Sequence, residues 1–295
     1  MTLLTKTILF ASLVALILPF SVMVEAIPSE KANQIAKERS DRALRASPTP
    51  VLPQDIADKT PREKHPLSKE ELKRFAGSPP PIGYGHESFG TLLDKFTSDI
   101  FGIYSKNQVH VNGITLQDTS YLYAPTILAP NNSPWEIVTY YAERGSGMEK
   151  KVVLFNHVTG AYDWSNAHTI DSTFIDDYTL TFGGNDYYYA EILKYQGKWY
   201  ALLFNFDIPS WEIWDVESED NDSISDGWVI WEEYSFWLNC PTALPDINAK
   251  LIRVYHDGSW PYATSTYASE LDTGDVCGIT SATFSSNYDD WSVDD

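Results

Sequence analysis

The sequence predicts an all-β fold over residues 83–295: an antiparallel β-sandwich, jelly-roll or lectin-like, with an internally duplicated hairpin and a short N-terminal helix. Two observations predict it. Short runs rich in β-branched and aromatic residues recur between turns containing Gly, Asn and Asp. Within them one pattern returns at an offset of 48–50 positions: Tyr140-Tyr141-Ala142-Glu143, Leu154-Phe155-Asn156 and Trp164, then Tyr188-Tyr189-Ala190-Glu191, Leu203-Phe204-Asn205 and Trp214. Two good copies are too few for a solenoid or propeller and fit related hairpins in one sheet or in facing sheets.

The chain opens with Lys6, an apolar run from Ile8 to Val24, and Val24 and Ala26 at the positions a signal peptidase reads. Residues 1–26 read as a secretory signal peptide. The run is shorter than the roughly 20 residues a spanning helix needs and lacks a basic stop-transfer cluster. The expected product is secreted and extracellular, with no membrane span once the signal is removed.

Residues 27–82 are a different material. Between 27 and 80 there are eleven Lys or Arg against eight Asp or Glu, whereas 81–295 carry nine against 32. Ala32–Ala46 and Ser68–Phe75 read as short helices, the second with Ser68 and Glu71 in capping-box positions. Pro48, Pro50 and Pro53 break the pattern between them. With few apolar groups to offset ordering entropy, this basic, Pro-rich stretch reads as a propeptide or a linker. Lys73-Arg74 offers a dibasic processing site, and a basic prosegment suits the acidic surface of the domain after it.

In the domain, Phe89, Leu92, Leu93, Phe96 and Ile100 follow a helical period, which predicts a helix over Phe89–Phe101. Strands are expected at Val109–Val111, Trp135–Glu143, Lys151–Asn156, Tyr178–Phe182, Tyr187–Tyr195, Trp199–Asn205, Trp228–Phe236 and Lys250–Tyr255. Turns are expected at Gly145-Ser146-Gly147 and Gln196-Gly197-Lys198. Cys240 and Cys277 are the only cysteines, and in an exported chain they predict one disulfide closing a loop of 37 residues. Such a loop gives about 3–4 kcal/mol in the chain-entropy model. Asn131 and Asn221 begin glycosylation sequons.

Composition excludes some partners. A domain this acidic repels nucleic acid and bare anionic membranes. No G-x-S-x-G, H-E-x-x-H, nucleotide loop or C-x-x-C occurs, and the six histidines (His86, His110, His157 and His256 among them) read as surface groups, His157 and His168 flanking Asp163. What remains is an aromatic and acidic surface. Tyr141, Glu143, Tyr189, Glu191, Trp211, Trp214, Trp228 and Trp231 are the candidate ligand-binding residues: rings stack on sugar C–H faces and carboxylates accept hydroxyl protons. The alternation sets Tyr141 and Tyr189 on equivalent faces. The expected partner is an extracellular glycan or surface polymer. An acid hydrolase, glycosidase or glutamic-type peptidase, is the alternative, with Glu191, Glu212, Glu232 and Glu233 as candidate catalytic carboxylates; a structural extracellular protein is a third. The chemistry requires no cofactor. Asp220, Asp222 and Asp226 form a candidate calcium loop without EF-hand spacing.

Overall fold

The computed structural model describes residues 47–56, 59, 61, 84–95, 100–116, 120–143, 147–222, 225–236, 244–273 and 281–294. The expected helices at 32–46 and 68–75, Lys73-Arg74, Cys240 and Cys277 lie outside these residues. Residues 41–295 cluster as one compact unit.

The described strands are β1 (Tyr84–Leu93), β2 (Ile100–Val109), β3 (Tyr121–Leu128), β4 (Trp135–Glu143), β5 (Met148–Asn156), β6 (Ala161–Tyr162), β7 (His168–Thr169), β8 (Thr179–Phe182), β9 (Asn185–Tyr195), β10 (Lys198–Asn205), β11 (Ser210–Glu217), β12 (Gly227–Phe236), β13 (Ile247–His256), β14 (Ser269–Asp272), β15 (Ser281–Phe284) and β16 (Trp291–Asp294). They make an all-β sandwich of two antiparallel sheets. Sheet I runs β14-β1-β12-β3-β4-β5-β6, with β7 on β5. Sheet II runs β11-β10-β9-β2-β13-β16-β15, with β8 on β9. A helix, α1 (Ser172–Tyr178), sits between β7 and β8. Asp171 caps it by accepting from the amides of Thr173 and Phe174.

The core lies between the sheets and follows the period of two. On β9, Tyr188, Ala190 and Ile192 face inward, and on β4 Ile137 and Tyr141 do; Trp199, Trp214, Trp231 and Trp291 fill the space between. Several polar tips find partners there, although Trp231 Nε1 has none among the described residues. The Thr139 and Tyr188 hydroxyls meet across the sheets at 2.8 Å. Trp214 Nε1 donates to the Asn166 carbonyl while Asn166 Nδ2 donates to that of Trp214.

Both outer faces are also apolar. Tyr104, Tyr189, Leu193, Leu202, Phe206, Trp211, Ile213 and Trp260 form a second cluster on the back of sheet II, together with Val51 and Ile56 from upstream of the domain. Tyr123, Val138, Tyr140, Ala142 and Val153 form a third on the back of sheet I. β9 is therefore buried on both faces through its middle, although antiparallel sheets commonly leave one face in water.

The duplication holds at the Leu-Phe-Asn turns. Leu154 and Leu203 both enter the core, and Phe155 and Phe204 both lie on outer faces. Asn156 accepts from the amides two and three residues on, and so does Asn205. The next strands return with Tyr162 against Phe155 and Trp211 against Phe204, ring centroids 4.9 and 5.4 Å apart. Upstream the copies diverge. Leu154 pairs Ile137, and a matched register would set Leu203 opposite Asn185; it pairs Ala190 instead. That displacement is odd, so the faces invert. Tyr141 points into the core and Tyr189 outward, which corrects the expectation that they share a face. The tryptophans part as well, Trp164 on the outer face and Trp214 in the core.

The helix expected over Phe89–Phe101 is also corrected. Residues 84–93 are β1, paired with β12 and β14, and β2 begins at Ile100. Gly90 has φ +147°, outside any helix, and a Cβ there would stand 2.5 Å from the Val229 carbonyl oxygen. Phe89 and Leu93 serve the core equally well at strand spacing, so pairing with the centre of sheet I prevails over the helical period. Tyr178, expected to open a strand, is the last residue of α1.

Candidate functional site: an aromatic face with paired carboxylates

The back of sheet I carries the densest chemistry. β12 brings Trp228, Glu232 and Tyr234 to this face, β4 brings Glu136 and Tyr140, and β3 brings Tyr121 and Tyr123. The turn after β5 adds His157, β1 adds His86, and β6 with the 3₁₀ turn Trp164–Asn166 adds Tyr162 and Trp164. At the middle of this array β3 bulges: its register shifts between Tyr123 and Thr126, where Pro125 has no amide to give, and against β12 between Ile230 and Glu232.

Two carboxylates face each other's field here. Glu136 accepts from Trp228 Nε1 at 3.0 Å through Oε1, and its Oε2 meets His157 Nε2 at 3.0 Å. Glu232 meets His86 Nε2 at 3.2 Å, and that nitrogen also meets the Ser88 hydroxyl at 2.9 Å. Burial raises the Glu232 carboxyl above the ordinary glutamate range; the bond to His86 opposes this and the charge of Glu136 adds to it. Burial likewise raises the phenols of Tyr123, Tyr162 and Tyr234, so these stay neutral. The rings form a continuous floor: Tyr123 lies 5.7 Å from Tyr140 and 5.2 Å from Tyr234, and Tyr162 lies 4.9 Å from Trp164. His86 stacks on Tyr234 at 4.3 Å. Phe155, Tyr162, Trp164, Trp228 and Tyr234 are half-buried, while Tyr123 and Tyr140 are buried.

The residues predicted from sequence divide among several places. Trp228 and Glu232 belong to this face. Trp214 and Trp231 are core. Tyr141 is core too, its hydroxyl held by the His110 amide, so the structure removes these three from any ligand surface. Glu143 is half-buried at the end of β4. Glu233 is buried on the opposite side of β12 from Glu232. Glu212 accepts from the Tyr178 hydroxyl at 2.7 Å and from Asn205 Nδ2, tying α1 to β11. Tyr189, Glu191 and Trp211 lie on the back of sheet II, away from Glu232.

Asp220 holds Lys194 Nζ at 2.7 Å and accepts from Trp199 Nε1; Asp226 accepts from Ser225 and Asp222 is exposed. Among the described residues no group of three His, Cys, Asp or Glu gathers as a metal site. Asn221 is buried, and Asn131 Nδ2 donates to the Ile100 carbonyl. Glu136 escaped the sequence reading, and His86 and His157 were expected only as surface groups. Glu136 had a signal, since it is in phase with Tyr140 on a strand whose bounds were correctly expected.

The fold is an all-β sandwich of two antiparallel sheets, and the back of sheet I joins aromatic rings to two carboxylates. No family model and no curated protein matches the chain. Among solved structures it is similar to scytalidoglutamic peptidase in complex with a peptide-based transition-state analogue, at 12% identity and TM-score 0.41, over 72% of this chain and 98% of that one. It also resembles the CBM2 module of the evolved Dit of Lactobacillus casei BL23 phage J-1, at 13% identity and TM-score 0.16, over 51% and 54% of the two chains.

Proposed function

We propose that the protein is a secreted acid hydrolase whose active face is the back of sheet I. The observation that carries this reading is the Glu136–Glu232 pair, set within each other's field and each bonded to an imidazole. A carboxyl raised by burial beside a second carboxylate keeps its proton into mildly acid conditions and gives it to a leaving group. Glu232 fills that role. Glu136, held by Trp228 and His157, orients water or stabilises developing positive charge. The ring floor holds an extended polymer by stacking. Export rests on the signal-like residues 1–26; no helix among the described residues is long and apolar enough to cross a membrane.

The test is turnover of polysaccharide and unfolded-protein substrates by the secreted protein from acid to neutral pH. Glu232→Gln is expected to reduce the rate at least about 100-fold while the folded signal is kept, as loss of a general acid does. Absence of turnover at every pH, or full activity in Glu232→Gln, refutes the hydrolase. The half-exposed rings favour a second reading, glycan recognition without cleavage. Glycan binding by a protein with no turnover, lost in Trp164→Ala and Tyr162→Ala, selects that one.

A further inference from the structure

The back of sheet II holds a second site, already occupied. Residues 47–52 cross it in extended form and Pro53–Asp55 close a 3₁₀ turn, and the described backbone hydrogen bonds include none between this segment and a strand of the sheet. Side chains hold it instead. Tyr104 donates its hydroxyl to the Pro48 carbonyl at 2.8 Å, Trp211 Nε1 to the Thr49 carbonyl at 2.9 Å, and Trp260 Nε1 to the Val51 carbonyl at 2.8 Å. The Val51 amide donates to Glu191 Oε2 at 2.9 Å, and the Ser47 and Tyr189 hydroxyls meet at 2.8 Å. Pro48, Pro50 and Pro53 fix φ near −65°, and Leu52 at φ −85°, ψ 144° is close to polyproline II. Residues before proline are biased the same way. Ring N–H and O–H groups reaching successive carbonyls of such a strand are the chemistry by which aromatic grooves read proline-rich peptides.

Glu191 shows that this face is built for an occupant. It is 0% exposed, the Val51 amide is its hydrogen-bond partner, and its Oε1 has none among the described residues. With the segment gone, a carboxyl would stand unpartnered among Tyr104, Tyr189, Trp211 and Trp260. The sheet itself is complete without the segment, because each of its strands is laddered to neighbouring strands.

We propose that the back of sheet II is a binding groove for an extended, proline-containing peptide, which residues 47–56 fill in cis and thereby block. Displacing that segment opens the groove to a second peptide of the same kind: carbonyls at the spacing of Tyr104, Trp211 and Trp260, a free amide for Glu191, and prolines to keep the strand extended. This site lies on the opposite face of the sandwich from Glu136 and Glu232, so it stands or falls independently of the hydrolase.

The experiment uses the full chain with a specific protease site inserted after Pro61, cut while folded. A labelled synthetic peptide of residues 45–59 is added in excess and its binding followed by fluorescence anisotropy, with circular dichroism as the measure of fold. The uncut protein is expected not to bind, and the cut protein to exchange its own segment for the label. Tyr104→Phe, which keeps the ring and deletes one donor, and Trp211→Phe, which deletes the indole N–H along with one ring of the indole, each weaken binding about 2- to 10-fold. A peptide with Ala at positions 48, 50 and 53 binds more weakly than the native one. Unfolding on loss of the segment, a segment that excess peptide never displaces, or a folded, emptied face that binds nothing overturns the proposal. Equal binding of the alanine peptide overturns the proline-containing class.

Discussion

Replacing Glu191 by Gln tests the electrostatics of the back of sheet II. Burial holds the Glu191 carboxyl well above the ordinary glutamate value of 4.5, opposed by the Val51 amide. The folded protein therefore keeps a proton that the unfolded chain has released. Stability from this group is full below pH 4.5 and falls as pH rises toward the folded value, at about 1.4 kcal/mol per pH unit while the proton difference is complete. Gln keeps an oxygen for the Val51 amide but sets two N–H donors where the neutral carboxyl has one O–H and no partner is at hand, and the extra unpartnered donor costs about 1–3 kcal/mol at acid pH. The variant should then be the weaker protein at low pH, lose its deficit as pH rises, and become the more stable one. Tyr104 and Tyr189, neutral because burial raises them (Tyr189 to about 12), do not titrate in this window. Urea unfolding of both proteins across the window measures the difference, in which the raised Glu232 and Asp290 cancel. A difference that stays constant with pH refutes the reasoning.

Two further predictions concern the fold. Gly90→Ala puts a Cβ 2.5 Å from the Val229 carbonyl oxygen at φ +147°, and thermal unfolding should show a loss of at least about 1–3 kcal/mol. Asp171→Ala removes the acceptor for two amides at the start of α1 and should cost about 0.5–2 kcal/mol in chemical denaturation, with hydrogen exchange rising first at Thr173 and Phe174.

The sequence by itself determined the fold class and much of the strand ladder. Period-two runs with β-branched and aromatic residues fixed β4 to the residue and β9, β10, β12 and β13 to within a few positions, because alternation and turn chemistry are local. Gln196 and Gly197 are an example: both have positive φ, as the tight turn between β9 and β10 requires. Trp228 and Glu232 were legible for the same reason, being concentrated on one strand. Only tertiary structure decided which faces those strands present and what meets there. Glu136 and Glu232 come from strands separated by β3, and His86 and His157 from opposite flanks of the sheet, so no local spacing announces the pair. The odd register displacement between the two hairpins turned Tyr141 into the core and left Tyr189 outside, although their sequence contexts are nearly the same. Trp211 and Trp214 separated likewise, one donating to the segment at 47–56 and the other sealed between the sheets. An aromatic strand residue carries the same local preference whether a core, a groove or open water lies beyond it; the partner across the gap is chosen by chain pairings a hundred or more residues long.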